Sequence, residues 1–152
     1  MRISREQMFM EMAETAAKRS TCFRNSVGAV VVDSSNNLVA MGYNGPVAGE
    51  PHCQGKDCPL TEAGGCSRSV HAERNALYRC SSHEDLSLYV SLSPCKTCAE
   101  FIVRDNRVKK IYYRQEYRDR SSIDWLAGKN IKLYKITAGG YIVDAVTNEI
   151  TA

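Results

Sequence analysis

Four side chains in the middle of this chain have the types and spacing of a metal-dependent catalytic site. His71 and Glu73 are separated by one residue, and Cys95 and Cys98 follow a proline in a Pro-Cys-x-x-Cys sequence. One imidazole and two thiolates fill three tetrahedral positions on Zn²⁺ and leave the fourth for water, whose pKa the metal lowers to about 7. A carboxylate that lies beside the metal without binding it can carry protons. The pattern therefore predicts a catalytic zinc site held by His71, Cys95 and Cys98, with Glu73 as the proton carrier.

A purely structural zinc site is the alternative interpretation of the same residues. Such a site is closed by four protein ligands, and it has no use for an unligated acid beside the metal. A Cys-x-x-Cys sequence by itself also fits a redox pair. The two halves of the pattern together, with Pro94 directly before Cys95, favour the catalytic interpretation.

Hydrophobic periodicity places both halves of this pattern at the starts of helices. A helix is predicted over residues 71–80, and another begins near Pro94, directly after a strand over residues 87–92. The positive end of a helix lowers the pKa of a cysteine thiol, which suits metal-binding thiolates. The other predicted elements are helices over residues 5–18 and 122–127, strands over residues 27–33, 38–43, 109–113 and 131–136, and a candidate last strand over residues 141–146.

The order of these elements predicts a single α/β domain over residues 1–152, a three-layer α/β/α fold with a central mixed five-stranded sheet. Composition is that of a soluble globular protein, with 43% hydrophobic and 24% charged residues. No apolar run approaches the ~20 residues of a membrane span, and the first residues do not form a signal peptide. We therefore expect a cytoplasmic protein, in the host cytoplasm if the source is viral. The formal charge of +3 does not favour a nucleic-acid-binding surface.

Four of the seven cysteines are candidates for a second metal site. A chain without an export signal favours metal ligation over disulfides. The polar, cysteine-rich insert at about 46–69 has few apolar residues to bury, and a loop of this length is usually functional, disordered or stapled. We predict that a structural Zn²⁺ fastens this insert to the core, with unrelated free thiols as the alternative. The candidate ligands are Cys22, Cys53, Cys58 and Cys66, with His52 as an alternative ligand.

Four stretches of the sequence resemble the deoxycytidylate deaminase family of the cytidine deaminase superfamily, and the resemblance implies a cytidine deaminase-like fold. The zinc pattern is common to the superfamily, whereas the Gly-Tyr-Asn-Gly block followed by a cysteine-containing insert indicates the deoxycytidylate branch. One departure is Arg74, where related enzymes often have an apolar residue; this departure is harmless if that helix face is exposed. The four stretches are Val27-Gly28-Ala29-Val30, Gly42-Tyr43-Asn44-Gly45, His71-Ala72-Glu73-Arg74-Asn75-Ala76 and Ser93-Pro94-Cys95-Lys96-Thr97-Cys98.

The resemblance implies hydrolytic deamination of dCMP to dUMP and ammonia, which supplies dUMP for thymidylate synthesis. Zn²⁺ on the His and Cys ligands activates water, and Glu73 moves protons from that water to ring N3 and to the departing amine. The competing enzymes are deaminases of free cytidine or of RNA adenosine. A zinc-stabilised binding module without catalysis is the alternative from another class, and the unligated acid Glu73 argues against it.

The resemblance also indicates residues that contact the substrate. Asn44 is the candidate for the sugar hydroxyl, with a turn-capping role as the alternative. Arg24 is the candidate for the phosphate, because a bidentate guanidinium suits that group, with a solvated surface arginine as the alternative. The remaining candidates are the backbone near Ala72 and Ser93 for the base, and Tyr117 and Arg118 for the phosphate.

In this family the Gly-Tyr-Asn-Gly block also belongs to an allosteric site, where dCTP activates and dTTP inhibits, within a homohexamer. The resemblance therefore implies effector contacts by Gly42, Tyr43, Asn44 and Gly45, and Mg²⁺ that accompanies the triphosphate. For Tyr43, contact with the substrate and simple packing are the alternatives.

Overall fold

The computed structural model describes residues 1–22, 25–52, 60, 62, 68–83 and 85–152. Within these residues the helices are α1 (Arg5–Ala17), α2 (Ala72–Arg79), α3 (Lys96–Asp105) and α4 (Ser121–Ala127). The strands are β1 (Gly28–Val32), β2 (Leu38–Tyr43), β3 (Leu86–Leu92), β4 (Val108–Gln115), β5 (Lys132–Ile136) and β6 (Ile142–Asp144). The ends of these elements lie within two residues of the predicted ends. None of the described helices is long and apolar enough to cross a membrane.

The described strands form one open mixed sheet in the order β2-β1-β3-β4-β5-β6. Strands β3, β4 and β5 run parallel, whereas the other neighbours pair antiparallel. The predicted mixed sheet is confirmed, but the predicted count of five strands is one short. The sixth strand, β6, has only three residues and pairs with β5, where Ile142 lies opposite Ile136. Burial of both isoleucines stabilises a strand whose pattern is too short to be decisive in the sequence.

Helices cover both faces of the sheet, which confirms the predicted three-layer arrangement. Helix α1 packs on one face, where Phe9 and Met10 contact alternate strand residues such as Val30 and Tyr89. Helices α2, α3 and α4 pack on the opposite face, against the strand residues that point the other way. These three helices contribute Ala72, Ala76, Leu77, Ala99, Ile102, Ile123 and Leu126 to that core.

Helix α1 is fixed at its start by a cap and along its length by close contact with β1. The Ser4 hydroxyl accepts a hydrogen bond of 3.1 Å from the backbone N–H of Gln7, as is typical of a serine directly before a helix. A Cβ at Gly28 would overlap the Ala13 carbonyl oxygen. The missing side chain at Gly28 therefore allows the helix to lie directly on the strand.

The segments that contain the zinc pattern meet beside the carboxyl ends of the parallel strands. Strand β3 ends at Leu92, and residues 93–95 lead directly into α3. Gly45 and Val70 form an antiparallel bridge with N···O distances of 3.1 and 2.7 Å, which closes the insert at its base and directs the chain into α2. Ligands of open α/β sheets bind outside the carboxyl ends of the strands, so this edge is the candidate site. Of the predicted insert, residues 53–59, 61 and 63–67 lie outside the described residues.

Candidate active site

The structure brings the three predicted zinc ligands together at the starts of two helices. His71 is the residue before the first turn of α2, Cys95 holds the same position before α3, and Cys98 lies on the first turn of α3. The His71 Nδ1 atom lies 3.0 Å from Cys98 Sγ and 3.4 Å from Cys95 Sγ. All three ligand atoms lie within 4.8 Å of one another.

This geometry fits a zinc ion. Zn–N and Zn–S bonds of about 2.0 and 2.3 Å at a tetrahedral angle separate nitrogen from sulfur by about 3.6 Å, close to the observed spacing. Within the described residues, the cluster contains these three ligand side chains and no fourth. A three-ligand set leaves one tetrahedral position for water, which is typical of catalytic zinc rather than structural zinc.

Glu73 lies beside this cluster and is almost fully enclosed. Its position in the first turn of α2 leaves 4% of its surface exposed. Burial raises the pKa of the Glu73 carboxyl group, and the nearby imidazole of His71 opposes part of that shift. The carboxyl group is therefore held away from bulk water, next to the metal ligands, where it can accept and release a proton.

The two cysteines differ in the protonation that their surroundings favour. A hydrogen bond from Cys98 lowers the pKa of the Cys95 thiol to about 3, and His71 and Thr97 contribute in the same direction. The same hydrogen bond, together with burial, raises the pKa of Cys98. Negative charge is thus favoured on Cys95, at the positive end of α3, which suits a ligand of a cation.

Two predicted substrate residues, Ser93 and Tyr117, are joined to each other. The buried Ser93 donates its backbone N–H to the Gln115 carbonyl at 2.8 Å, and its hydroxyl accepts the Tyr117 N–H at 2.6 Å. These bonds tie the end of β3 to the segment after β4. Tyr117 is half-buried, with the Arg118 guanidinium 5.9 Å from its ring centroid. Ala72, the predicted base contact, is fully buried in the first turn of α2.

Asn44 is buried, and both ends of its amide bind backbone groups of the segment before β1. Its Oδ1 accepts the Val27 N–H at 2.9 Å, and its Nδ2 donates to the Asn25 carbonyl at 2.7 Å. This is the bonding expected of the turn-capping alternative. Each end of the amide keeps capacity for one further hydrogen bond, so the sugar contact stays a prediction.

Several predicted residues lie outside the described part of the chain. They are the phosphate candidate Arg24 and the cysteines Cys53, Cys58 and Cys66 of the second zinc site. Of the remaining candidates for that site, Cys22 is buried and free of disulfides, and His52 is exposed. The second zinc site and the phosphate contact therefore stay predictions.

The position of Arg74 on α2 does not meet the condition of an exposed helix face. Arg74 is half-buried, its guanidinium lies 5.3 Å from the Phe101 ring centroid, and its Nε atom is buried without a hydrogen-bond partner among the described residues. The aliphatic stem and flat head of an arginine can cover apolar surface, which explains how this residue replaces an apolar one.

The Gly-Tyr-Asn-Gly block, predicted to bind an effector, lies against the helix that starts with the site residues. A Cβ at Gly42 would lie 2.6 Å from the Ala76 backbone nitrogen, so α2 rests on the strand backbone. The Tyr43 carbonyl accepts a hydrogen bond from the Asn75 side chain, and Gly45 pairs with Val70. Sequence reasoning missed this supporting role of the block; the small residues Ala72 and Ala76, four apart on α2, were the available signal.

Known proteins resemble the chain over most of its length. A family model for the cytidine and deoxycytidylate deaminase zinc-binding region matches residues 3–115. ComE operon protein 2 of Bacillus subtilis (strain 168) is 38% identical over 121 residues, which cover 77% of this chain and 62% of that protein. The deoxycytidylate deaminase of Mycobacterium phage D29 is 36% identical over 126 residues, which cover 73% of this chain and 94% of that protein. The chain spans about half the length of the yeast deoxycytidylate deaminases that it matches.

Among solved structures, the crystal structure of dCMP deaminase from the cyanophage S-TIM5 in complex with dCMP and dUMP is similar to this fold. The TM-score is 0.76 at 33% sequence identity, and the match covers 89% of this chain and 98% of that chain. The likeness in fold therefore extends over most of the chain.

Proposed function

Because the chain belongs to the cytidine and deoxycytidylate deaminase zinc-binding family, we propose that it hydrolyses dCMP to dUMP and ammonia. The observation that supports this most strongly is the cluster of His71, Cys95 and Cys98 beside the buried Glu73. The likeness to a phage dCMP deaminase over 89% of the chain supports dCMP as the substrate.

In the proposed mechanism, His71, Cys95 and Cys98 would hold the metal, and Glu73 moves the protons. Zn²⁺ in this site supplies Lewis-acid activation of water for attack at C4 of the ring. Glu73 accepts a proton from that water, donates one to ring N3, and assists the transfer of a proton to the amine as it leaves as ammonia. One carboxyl group suffices because it gains and loses the proton in alternate steps.

We propose that residues from several parts of the chain bind the nucleotide. Asn44 contacts the sugar hydroxyl, the backbone near Ala72 and Ser93 contacts the base, and Arg24 binds the phosphate together with Tyr117 and Arg118. The joining of Ser93 to Tyr117 supports this arrangement, because it links the base contact to the phosphate contact.

We propose further that dCTP, accompanied by Mg²⁺, activates and dTTP inhibits the enzyme through Gly42, Tyr43, Asn44 and Gly45, within a homohexamer. The contact of this block with α2 supports the idea, since a ligand that shifts the block would also shift His71 and Glu73. Sedimentation velocity with and without each nucleotide, alongside initial rates, tests both parts. A monomer at assay concentration, with rates insensitive to both nucleotides, would contradict them.

The second zinc site is proposed on Cys22, Cys53, Cys58 and Cys66, with His52 as an alternative ligand. The position of Cys22 supports it. Cys22 is buried, and the residue before it, Thr21, donates its N–H to the Asn44 carbonyl beside the Gly45–Val70 bridge at the base of the insert. We expect two zinc ions per chain, and one fewer in Cys58→Ser together with a lower melting temperature. Unchanged zinc content and an unchanged melting temperature in that variant would contradict the second zinc site.

The loss of ultraviolet absorbance on mixing the protein with dCMP tests the function directly. Deoxycytidine and dCTP are compared in parallel, and Glu73→Ala serves as the inactive control. We expect turnover of dCMP and none in the variant. Turnover of deoxycytidine alone would support a deaminase activity but contradict the proposed phosphate site. The absence of any turnover would contradict the proposed function.

A further inference from the structure

Helix α2 positions His71 and Glu73, whereas Cys95 directly precedes α3 and Cys98 lies in its first turn. The geometry of the site therefore depends on where the start of α2 is held. We propose that Asn75 is a positioning residue that fixes this helix start, and with it the metal-binding nitrogen of His71. The proposal rests on the zinc site described above, and it adds a residue whose hydrogen bonds are to backbone carbonyls and not to the ligand atoms of the metal site.

Asn75 connects three backbone carbonyls that surround the helix start. Its backbone N–H donates to the His71 carbonyl at 3.1 Å, the first hydrogen bond of α2. Its side-chain Nδ2 donates to the Tyr43 carbonyl at 2.8 Å and contacts the Val70 carbonyl at 3.5 Å. One residue thus links the end of β2, the residue before the His ligand and the His ligand itself.

The bond to Tyr43 satisfies a carbonyl at the edge of the sheet. Strand β2 is an edge strand, and α2 covers it with two side chains one helical turn apart. Asn75 binds the Tyr43 carbonyl, and Arg79 reaches the Met41 carbonyl at 3.4 Å. Four residues of a helix rise about 6 Å and two residues of a strand about 6.6 Å. The spacing of the two donors along α2 therefore matches the spacing of the two carbonyls along β2. Together they set the register of the helix along the strand.

The close approach of helix to strand depends on the residues between these bonds. A Cβ at Gly42 would lie 2.6 Å from the Ala76 nitrogen and 2.9 Å from the Ala72 carbonyl oxygen. Asn75 is half-buried in this contact, where its amide has little access to replacement partners in water. Without the Nδ2 donor, the helix start would be held by the Gly45–Val70 bridge and packing alone.

The test measures metal binding in Asn75→Asp and Asn75→Ala. Aspartate keeps the shape of asparagine but presents oxygen to the Tyr43 carbonyl, whereas alanine removes the contact. We expect Zn²⁺ affinity, measured by competition with a chromophoric chelator, to fall 10–100-fold, the usual effect of losing a group that orients a metal ligand. In the Co²⁺-loaded variants we expect the visible absorption bands, which report ligand geometry, to shift.

Arg107→Gln is the matched control, because Arg107 holds the same helix from its other end. Its guanidinium donates to the carbonyls of Leu77 at 2.9 Å, Cys80 at 2.7 Å and Ser82 at 2.9 Å. This control should lower the melting temperature while leaving Zn²⁺ affinity and the Co²⁺ spectrum unchanged. A loss of affinity that merely follows stability would appear in both variants and would overturn the proposal.

Unaltered Zn²⁺ affinity and Co²⁺ bands in folded Asn75→Asp would also overturn it. If neither Asn75 variant folds, side-chain amide exchange in the unaltered zinc-loaded protein decides the question. The Asn75 Nδ2 protons should exchange more slowly than those of the exposed Asn148, and equal rates would exclude the bond. These measurements need no substrate, so their outcome is independent of whether dCMP is hydrolysed.

Discussion

Replacing Glu73 should remove proton transfer, whereas replacing His71, Cys95 or Cys98 should remove a metal ligand. Glu73 is not needed to fill the ligand set, but it is the buried acid beside that set. We expect Glu73→Gln to lower the rate of dCMP hydrolysis by roughly 10²–10⁴-fold, the usual contribution of general acid–base catalysis, because an amide cannot take up the proton. Zinc content by elemental analysis should stay unchanged. A variant that loses its zinc along with its rate would make Glu73 a ligand instead.

The same residues explain how much of the site could be predicted from the sequence. Metal ligation demands particular side chains at short, fixed spacing, so His71, Cys95 and Cys98 stand out in the chain. Asn75 does not, because its bond is to a backbone carbonyl 32 residues away, and any residue type could have supplied that carbonyl. Only the packing of α2 on β2 brings the two together.

Among the elements, α2 lies closer to β2 than a side chain at position 42 would allow. A Cβ there would meet backbone atoms of Ala72 and Ala76, which move only with the whole helix. We expect Gly42→Ala to lower the free energy of unfolding by about 1–3 kcal/mol, the usual cost of overpacking, and to weaken Zn²⁺ binding because His71 moves with the helix. Chemical denaturation and chelator competition measure the two effects.

Gly128→Ala is the control for this prediction. Gly128 ends α4 with a φ of −65°, which alanine adopts readily, and a Cβ added there would have the Trp125 carbonyl oxygen as its nearest neighbour, at 3.4 Å. We expect a change within about 1 kcal/mol and unchanged metal affinity. Equal losses of stability and of Zn²⁺ affinity in the two variants would show that the close contact at Gly42 does not cause them.

The elements also show where pattern reasoning is limited. Long periodic segments such as α1 and β3 are predicted to within one or two residues, because their burial repeats over several turns or pairs. Strand β6 has three residues, and its place in the sheet follows from the pairing of Ile142 with Ile136 of β5. That pairing depends on tertiary structure, which a three-residue pattern does not specify.

At the scale of the whole molecule, the metal site links the start of α2 to the start of α3, two helices that pack on the same face of the sheet. His71 on α2 and Cys98 on α3 are 27 residues apart in the chain, so zinc bound between them restrains both segments against unfolding. A ligand that binds only the folded state at 100 times its dissociation constant adds about 2.7 kcal/mol of stability. We therefore expect added Zn²⁺ to raise the melting temperature of the protein, and Cys98→Ser to reduce this rise, as calorimetry can measure. An equal rise in Cys98→Ser would place the stabilising zinc elsewhere, with the cysteines of the insert as the next ligands to substitute.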